Sequence, residues 1–333
     1  MNLVFTDCTI KYRNLGLNQK DRDNVIRNAF DAADELDLSR SSYRDTVYSF
    51  FAKMIDEDVV SGDVSLMPRQ PYESLLKAKI VVKSPAVIAG LDETIYFASR
   101  RDLQMQSDFK NGDIVKPDDI LLRINGKAAE ILTIERSILN ILQRLSGIAT
   151  NTKTYVDSIA GTNAFVVGTR KTLWGLLDKR AIQCGGGLTH RLGLHDAAML
   201  KENHLSILRK SPNPDALKLA VTEMISAYPY LRFIEIEVTN SDEYREILGY
   251  LKNITAPFPF VIMFDHFTPE DIPALIAEAK AKNLYSHILF EASGNVSLET
   301  VRDYAESGVD VISVGALTHS VTSADFSLLV DSI

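Results

Sequence analysis

From residue 160 onward, short apolar runs recur about every 25 to 35 residues, with stretches of helical spacing between them. That alternation predicts parallel strands joined by α-crossovers. The runs are Ala164 to Gly168, Ala197 to Leu200, Phe233 to Val238, Phe260 to Phe264, His287 to Phe290 and Val311 to Val314. Six such units predict a parallel β/α barrel, an incomplete one, over residues 151–333. Upstream the pattern differs. A helix is expected over Tyr48 to Ile55, a turn at Ser61-Gly62-Asp63, and β-like runs at Ala78 to Lys83 and Ile120 to Ile124, punctuated by Gly90, Gly112, Pro117 and Gly126. These predict a small α+β domain over residues 46–150. It closes with a linker helix, Ala128 to Thr150, whose apolar positions Ile131, Ile134, Ile138, Leu139, Leu142 and Leu145 follow helical periodicity. Residues 1–45 are polar, with a helix-like stretch at Asp21 to Leu38, and read as an N-terminal extension that lies on the surface or at an oligomer contact.

The length of 333 residues suits about two domains, and 46% hydrophobic with 24% charged residues is an ordinary globular balance. A net charge of −8 gives no global attraction to nucleic acid or to anionic membranes. Cys8 and Cys184 stand far apart with no Cys-x-x-Cys, so neither a disulfide framework nor a zinc site is suggested. The longest strongly apolar stretch, Phe258 to Phe264, is too short to span a bilayer, and the first residues lack a signal peptide's uninterrupted apolar region. A cytoplasmic location is expected.

Each apolar run of the C-terminal half ends in polar or glycine residues. Thr169-Arg170-Lys171 follow the first, Lys201-Glu202-Asn203-His204 the second, then come Asp265-His266, Glu291-Ala292-Ser293-Gly294 and Gly315-Ala316. Parallel β/α barrels build their sites at the C-terminal strand ends, so Arg170, Lys171, Lys201, Glu237, Asp265, Ser293 and Gly315 are expected at one mouth. The competing reading, that charges simply begin where strands stop, becomes weaker when six strands agree in register. Glu235 and Glu237 alternate within the third run and so share one face. A buried carboxylate needs a cation, a metal or donor groups, which makes Glu237 a candidate for ribose hydroxyls or Mg²⁺ and Glu235 its support; an internal ion pair with a lysine is the structural alternative.

The run Cys184-Gly185-Gly186-Gly187-Leu188-Thr189-His190-Arg191 is a glycine-rich turn that delivers an imidazole beside a guanidinium. Glycines alone also suit a plain tight turn. With Arg170, Lys171 and Lys201, however, Arg191 completes a cationic pocket for a polyanion, since guanidinium groups bind carboxylates and phosphates through paired hydrogen bonds. Ser293-Gly294-Asn295 and Gly315-Ala316 stand where barrels hold a phosphate on backbone N–H groups. His195, His287 and His319 lack metal-ligand spacing with one another, His204 suits either packing or an orienting role, and Trp174 suits either stacking on an aromatic substrate or covering its loop.

With these motifs in order, the chain resembles quinolinate phosphoribosyltransferase, the nicotinate-nucleotide pyrophosphorylase (carboxylating) family of NAD biosynthesis. The likeness runs from about Phe50 to Val330 and rests on EDVVSGDVS, ERSILNILQRLSGIAT, TRKT, GGGLTHRLGLHDAAMLKENHL, IEIEV and FEASGNVSLETVRDYAESGVDVISVGALTHS. The resemblance implies an N-terminal α/β sandwich domain, a C-terminal open β/α barrel and a homodimer or dimer-based oligomer in which one subunit contributes to its neighbour's site. It implies that Arg136, Arg170, Lys171, His190, Arg191 and Lys201 hold the carboxylates of quinolinate and the phosphates of phosphoribosyl pyrophosphate, Arg136 coming from the partner subunit. Glu237 and Asp265 match the acids for the ribose hydroxyls and Mg²⁺, directly or indirectly, while Ser293, Gly294 and Gly315 match the loops around the 5′-phosphate. The implied reaction yields nicotinate mononucleotide, pyrophosphate and CO2, with Lys171 or Lys201 assisting decarboxylation.

Three positions depart from the family pattern. Leu173-Trp174-Gly175-Leu176-Leu177 replaces a Pro-Gly-Leu-Arg stretch, which removes one cation; Thr189 stands for an Asn before the His-Arg pair, and His266 for an Asn after Asp265. All three lie by the ring-binding part of the motif and leave the phosphoribosyl part intact. A relative acting on another aromatic acid, of the molybdenum-transport-associated kind, and a non-catalytic ligand-binding relative are the alternatives.

Overall fold

A computed structural model describes residues 19–66 and 70–331 of the chain. Helices α1 (Gln19–Phe30) and α2 (Ser41–Val59) lead to strands β1 (Leu75–Val82) and β2 (Ala86–Val87) and helix α3 (Leu91–Ser99). Strands β3 (Gln104–Gln106), β4 (Ile114–Val115) and β5 (Ile120–Lys127) then run into the long helix α4 (Ala128–Ser158). After it come β6 (Phe165–Val167), α5 (Leu176–Cys184), β7 (Ala198–Leu200), α6 (Glu202–Arg209), α7 (Ala216–Ala227), β8 (Ile234–Val238) and α8 (Ser241–Leu251). The chain ends with β9 (Phe260–Asp265), α9 (Ile272–Ala281), β10 (Ile288–Ser293), α10 (Val301–Glu306), β11 (Val311–Ser313), α11 (Ala316–His319) and β12 (Phe326–Val330).

These elements fall into two units made of interleaved segments. The first takes residues up to 31, 158–170 and 190–314; the second takes 32–157, 171–189 and 315 onward. The stretches 1–45, 46–150 and 151–333 expected from the sequence divide the chain consecutively, whereas compactness divides it into these interleaved segments. Hydrogen bonding gives the reason. The outer edge of β1 needs a partner strand and finds it in β12, which returns the C-terminus to the second unit.

In the first unit all six strands lie parallel in the order β6-β11-β10-β9-β8-β7. Each of the six apolar runs became one of these strands, and β6 pairs with β11 and not with β7, so the β/α barrel is open as expected. All five residues of β8 are buried, as are Phe260 to Phe264 of β9, because both faces of a parallel sheet are covered. Asn240 caps α8 by accepting the N–H groups of Asp242 and Glu243.

Helix α1 belongs to this unit. Ile26, Ala29 and Phe30 are buried, and Arg22 reaches the buried Asp310 just before β11 through Nε at 2.5 Å and Nη2 at 2.6 Å. The same guanidinium donates to the carbonyls of Tyr285 at 2.8 Å and Ile288 at 3.0 Å, and lies 3.7 Å from the centre of the Tyr285 ring. These groups sit at the N-terminal ends of β10 and β11. The expected surface or oligomer-contact extension is thus, over α1, an integral part of the parallel-sheet unit; polar composition hid the role because its key residue is a charge that is buried only with its partner. Residues 1–18 of that expected extension lie outside the described residues.

The second unit contains the antiparallel sheet β12-β1-β5-β3 and the small pair β2-β4. Helix α4 buries Ile131, Ile134, Ile138, Leu139, Leu142 and Leu145, the face that periodicity marked out. Gln143 exchanges hydrogen bonds with the chain leading into β12, donating to the Phe326 carbonyl and accepting from Ala324 N–H, both at 2.9 Å. Gly147 permits this approach: a Cβ there would stand 2.3 Å from the Thr322 carbonyl oxygen. Buried Glu93 joins α2, α3 and α5, accepting from Tyr43 at 3.1 Å and Arg180 at 3.3 Å.

Candidate active site

The parallel unit brings eight of the eleven expected site residues to the C-terminal ends of its strands or to the segment between β6 and β7. Arg170 follows β6 and is exposed; Lys201 follows β7, Glu237 ends β8, Asp265 ends β9, Ser293 ends β10, and Gly294 comes next. Pairing registers set their neighbours: Ser293 lies opposite Asp265, and Leu200, the residue before Lys201, lies opposite Ile236. Lys201 Nζ reaches Glu237 Oε2 at 2.5 Å, with the lysine half-exposed and the glutamate nearly covered. The lysine ion pair named as the structural alternative therefore exists at Glu237, at the strand mouth, where its cation still faces solvent. His204 Nδ1 accepts the Lys201 N–H at 3.2 Å, which orients the start of α6.

Asp265, His266, Ser293 and Gly294 form one corner. The His266 N–H donates to the Ser293 carbonyl at 3.0 Å, and its ring Nε2 lies 3.9 Å from Asp265 Oδ2. Gly294 adopts φ +96°, and a Cβ would stand 2.9 Å from the His266 nitrogen, so only glycine fits beside that histidine.

Arg191 is buried, donating to the Ala197 carbonyl at 3.3 Å and contacting Met199 Sδ at 3.2 Å. Burial lowers its proton affinity, Glu235 raises it, and the nearby Arg170 lowers it further. His190, expected among the anion-binding residues, lies buried beside Arg191. Its ring is covered, Nδ1 accepts the Arg191 N–H at 2.7 Å, and Nε2 faces Glu291 Oε2 at 3.0 Å and Glu235 Oε2 at 3.5 Å. An acceptor at Nδ1 leaves the ring proton on Nε2, pointed at the carboxylates. The imidazole is thus engaged on both sides inside the unit, between the rings of Phe30 and Phe233. His190, Glu235 and Glu291 have metal-ligand chemistry and ligand atoms within 4.8 Å of one another, but the Nε2 proton occupies the position a metal would take. Burial, with Glu291 alongside, holds the Glu235 carboxyl well above the usual range.

Glu291 was missed. The apolar run ends at Phe290 and places it beyond the strand, whereas β10 continues to Ser293 and Glu291 is fully buried within it. The signal was present: Glu291 and Ser293 alternate with period two, as Glu235 and Glu237 do.

The other three residues belong to the second unit. Arg136 lies exposed on α4. Lys171 and Gly315 adjoin: a Cβ on Gly315 would stand 3.3 Å from Lys171 Cδ and 3.1 Å from His319 Nε2. Glu237 and Asp265 supply hard carboxylate oxygens, one of them paired with Lys201, and that donor set fits Mg²⁺, which is commonly held by one or two carboxylates together with substrate phosphates.

Along the C-terminal rim of this open parallel β/α sheet, Arg170 and Lys201 follow the two edge strands, and Asp265 and Glu237 end the inner strands β9 and β8, which is the end where enzymes of this architecture build their sites. Residues 148–329 match the C-terminal domain of quinolinate phosphoribosyl transferase, and residues 67–146 match its N-terminal domain. The chain is 34% identical over 273 residues to a probable nicotinate-nucleotide pyrophosphorylase (carboxylating) of Archaeoglobus fulgidus, covering 81% of this chain and 98% of that protein. It is 34% identical over 279 residues to the chloroplastic nicotinate-nucleotide pyrophosphorylase (carboxylating) of Arabidopsis thaliana, covering 82% and 79%. The solved nicotinate-nucleotide pyrophosphorylase of Francisella tularensis superposes with a TM-score of 0.72 at 30% identity, covering 86% of this chain and 97% of that one. The chain belongs to the quinolinate phosphoribosyltransferase family.

Proposed function

We propose that this protein transfers the phosphoribosyl group of phosphoribosyl pyrophosphate to quinolinate and releases CO2 and pyrophosphate, forming nicotinate mononucleotide for NAD biosynthesis. The observation that carries the reading is the Lys201 and Glu237 pair at the strand mouth, in the same unit as the exposed Arg170 and the buried Arg191. Anion-binding groups and an acid next to one another suit a substrate that is both polyanionic and a sugar.

In this reading Arg170 and Arg191 take the ring carboxylates, with His190 holding the Arg191 backbone in place through Nδ1. Lys171, Lys201 and Arg136, the last from a partner subunit of a homodimer, complete the anion-binding set. The backbone at Ser293, Gly294 and Gly315 receives the 5′-phosphate. As the pyridine nitrogen approaches ribose C1 and the bond to pyrophosphate lengthens, C1 becomes cationic, and Glu237 and Asp265 stabilise that charge and hold the ribose hydroxyls. Glu237 and Asp265 would also hold Mg²⁺, which when bound neutralises charge on the departing pyrophosphate. Loss of the 2-carboxylate leaves an electron pair at ring C2, and Lys201 or Lys171 delivers the proton that takes its place. A cytoplasmic location accompanies this reading.

The altered segment Leu173 to Leu177 is the observation behind the second reading, an acceptor that is another aromatic acid. Pyrophosphate release is measured with phosphoribosyl pyrophosphate, Mg²⁺ and a panel of pyridine carboxylic acids. Release with quinolinate, accompanied by equimolar CO2, is the expected result. Release only with a different acid moves the assignment to that acid, and no release with any acid leaves a binding protein.

A further inference from the structure

Hydrogen bonds within the second unit fasten the segment after Lys171 at several points. Asp178 Oδ2, fully buried in α5, accepts the N–H groups of Leu173 at 3.1 Å and Trp174 at 3.2 Å. Thr172 Oγ1 accepts the Gly175 N–H at 2.8 Å, closing a turn that Gly175 permits with φ +55° and ψ −118°. Arg144 of α4 then links this turn to the backbone of Lys171. Its Nη2 donates to Asp178 Oδ2 and to the Thr318 carbonyl, both at 3.1 Å, and the Thr318 hydroxyl donates to the Lys171 carbonyl at 2.8 Å. The guanidinium also lies 4.9 Å from the Trp174 ring centre, and Phe50 packs on the same indole at 5.1 Å.

As a stabilising device this pair is poorly made. Arg144 Nε and Asp178 Oδ1 are buried without a hydrogen-bond partner among the described residues, so part of the desolvation cost goes uncompensated. What the pair does achieve is geometric: Asp178 Oδ2 gathers two successive amides and Arg144 Nη2, and the second bond of that same nitrogen leads through Thr318 to Lys171. We propose that Arg144 and Asp178 are positioning residues for Lys171, setting its backbone through Thr318 on one side and through the Leu173 and Trp174 amides on the other. The inference rests on the role assigned to Lys171 above. Neither residue touches substrate in this account; both act through the lysine.

Trp174 is the only tryptophan in the chain, so its fluorescence reports on this turn alone. Arg144→Lys retains a charge for Asp178 but loses the planar guanidinium that places Nη2 between Asp178 and Thr318, Thr318→Val removes only the hydroxyl, and Thr318→Ser restores it. The rate at which acetic anhydride labels Lys171, followed by mass spectrometry, reads the lysine's setting whether or not the chain turns over. Arg144→Lys and Thr318→Val are expected to alter that labelling rate at least twofold and to lower kcat by about tenfold to a hundredfold with KM for phosphoribosyl pyrophosphate nearly unchanged, as displacement of a reacting group does. Thr318→Ser is expected to behave as the parent, and Arg144→Lys also to shift the Trp174 emission. Parental labelling or parental kcat in both Arg144→Lys and Thr318→Val overturns the proposal, as does a lowered melting temperature with labelling unchanged. A parent chain inactive on quinolinate refutes only the assigned activity, since the labelling rates then decide the positioning role by themselves.

Discussion

Arg22→Met tests how an N-terminal helix of polar composition is held in the fold. Methionine keeps the length and apolar bulk of the side chain but removes every donor. The parent guanidinium makes two bonds to Asp310, one each to the carbonyls of Tyr285 and Ile288, and a stack on Tyr285. After the replacement Asp310 keeps the Phe290 N–H at 2.7 Å but loses its counter-charge while still fully buried. Breaking a buried pair on one side costs about 3–5 kcal/mol. Against the roughly 5–15 kcal/mol that holds a typical domain, that is a large share. Urea unfolding of the full chain, followed by far-ultraviolet circular dichroism, is the assay. Burial already raises the Asp310 proton affinity although Arg22 lowers it, so removing Arg22 raises it further. A carboxyl whose folded pKa is above its unfolded value of about 3.9 contributes stability that is present below that value and is lost as pH rises through the folded one. The deficit should therefore be smallest near pH 4 and grow toward pH 7, and Asp310→Asn in the same chain should recover much of it. A loss below about 1 kcal/mol at pH 7, or a deficit that grows as pH falls, refutes the reasoning.

Lys201→Ala and Arg170→Ala are each expected to abolish pyrophosphate release while leaving the circular dichroism spectrum unchanged; near-parental turnover in either removes its assigned role. Glu237→Gln keeps the shape at the strand mouth but removes the charge beside Lys201, so kcat should fall by about 10²–10³, the loss typical of one group stabilising developing charge, with steady-state kinetics at saturating Mg²⁺ as the check. Burial pushes the Cys184 thiol up to about 12, which leaves almost no thiolate at pH 8; iodoacetamide should leave it unmodified in the folded chain and label it once urea is added, as peptide mass spectrometry would read.

The sequence by itself determined the parallel half of the fold and most of the rim chemistry. The six runs are apolar on both faces because a covered parallel sheet demands it, and that demand is local enough to read residue by residue. Strand termination at the mouth placed Arg170, Lys201, Glu237 and Asp265, for the same reason. Helix α4 was legible from its 3.6-residue period. Tertiary structure alone decided the rest, where the partner is distant in sequence and polar. Arg22 looks like a solvated charge until Asp310 is brought beneath it. Glu291 looks like a residue beyond its strand until its neighbours bury it against His190. Strand β12 is a short run at the end of the chain until the free edge of β1 offers it hydrogen bonds. Periodicity records which face a segment hides, whereas the pairing of buried charges and open strand edges depends on contacts between residues hundreds of positions apart.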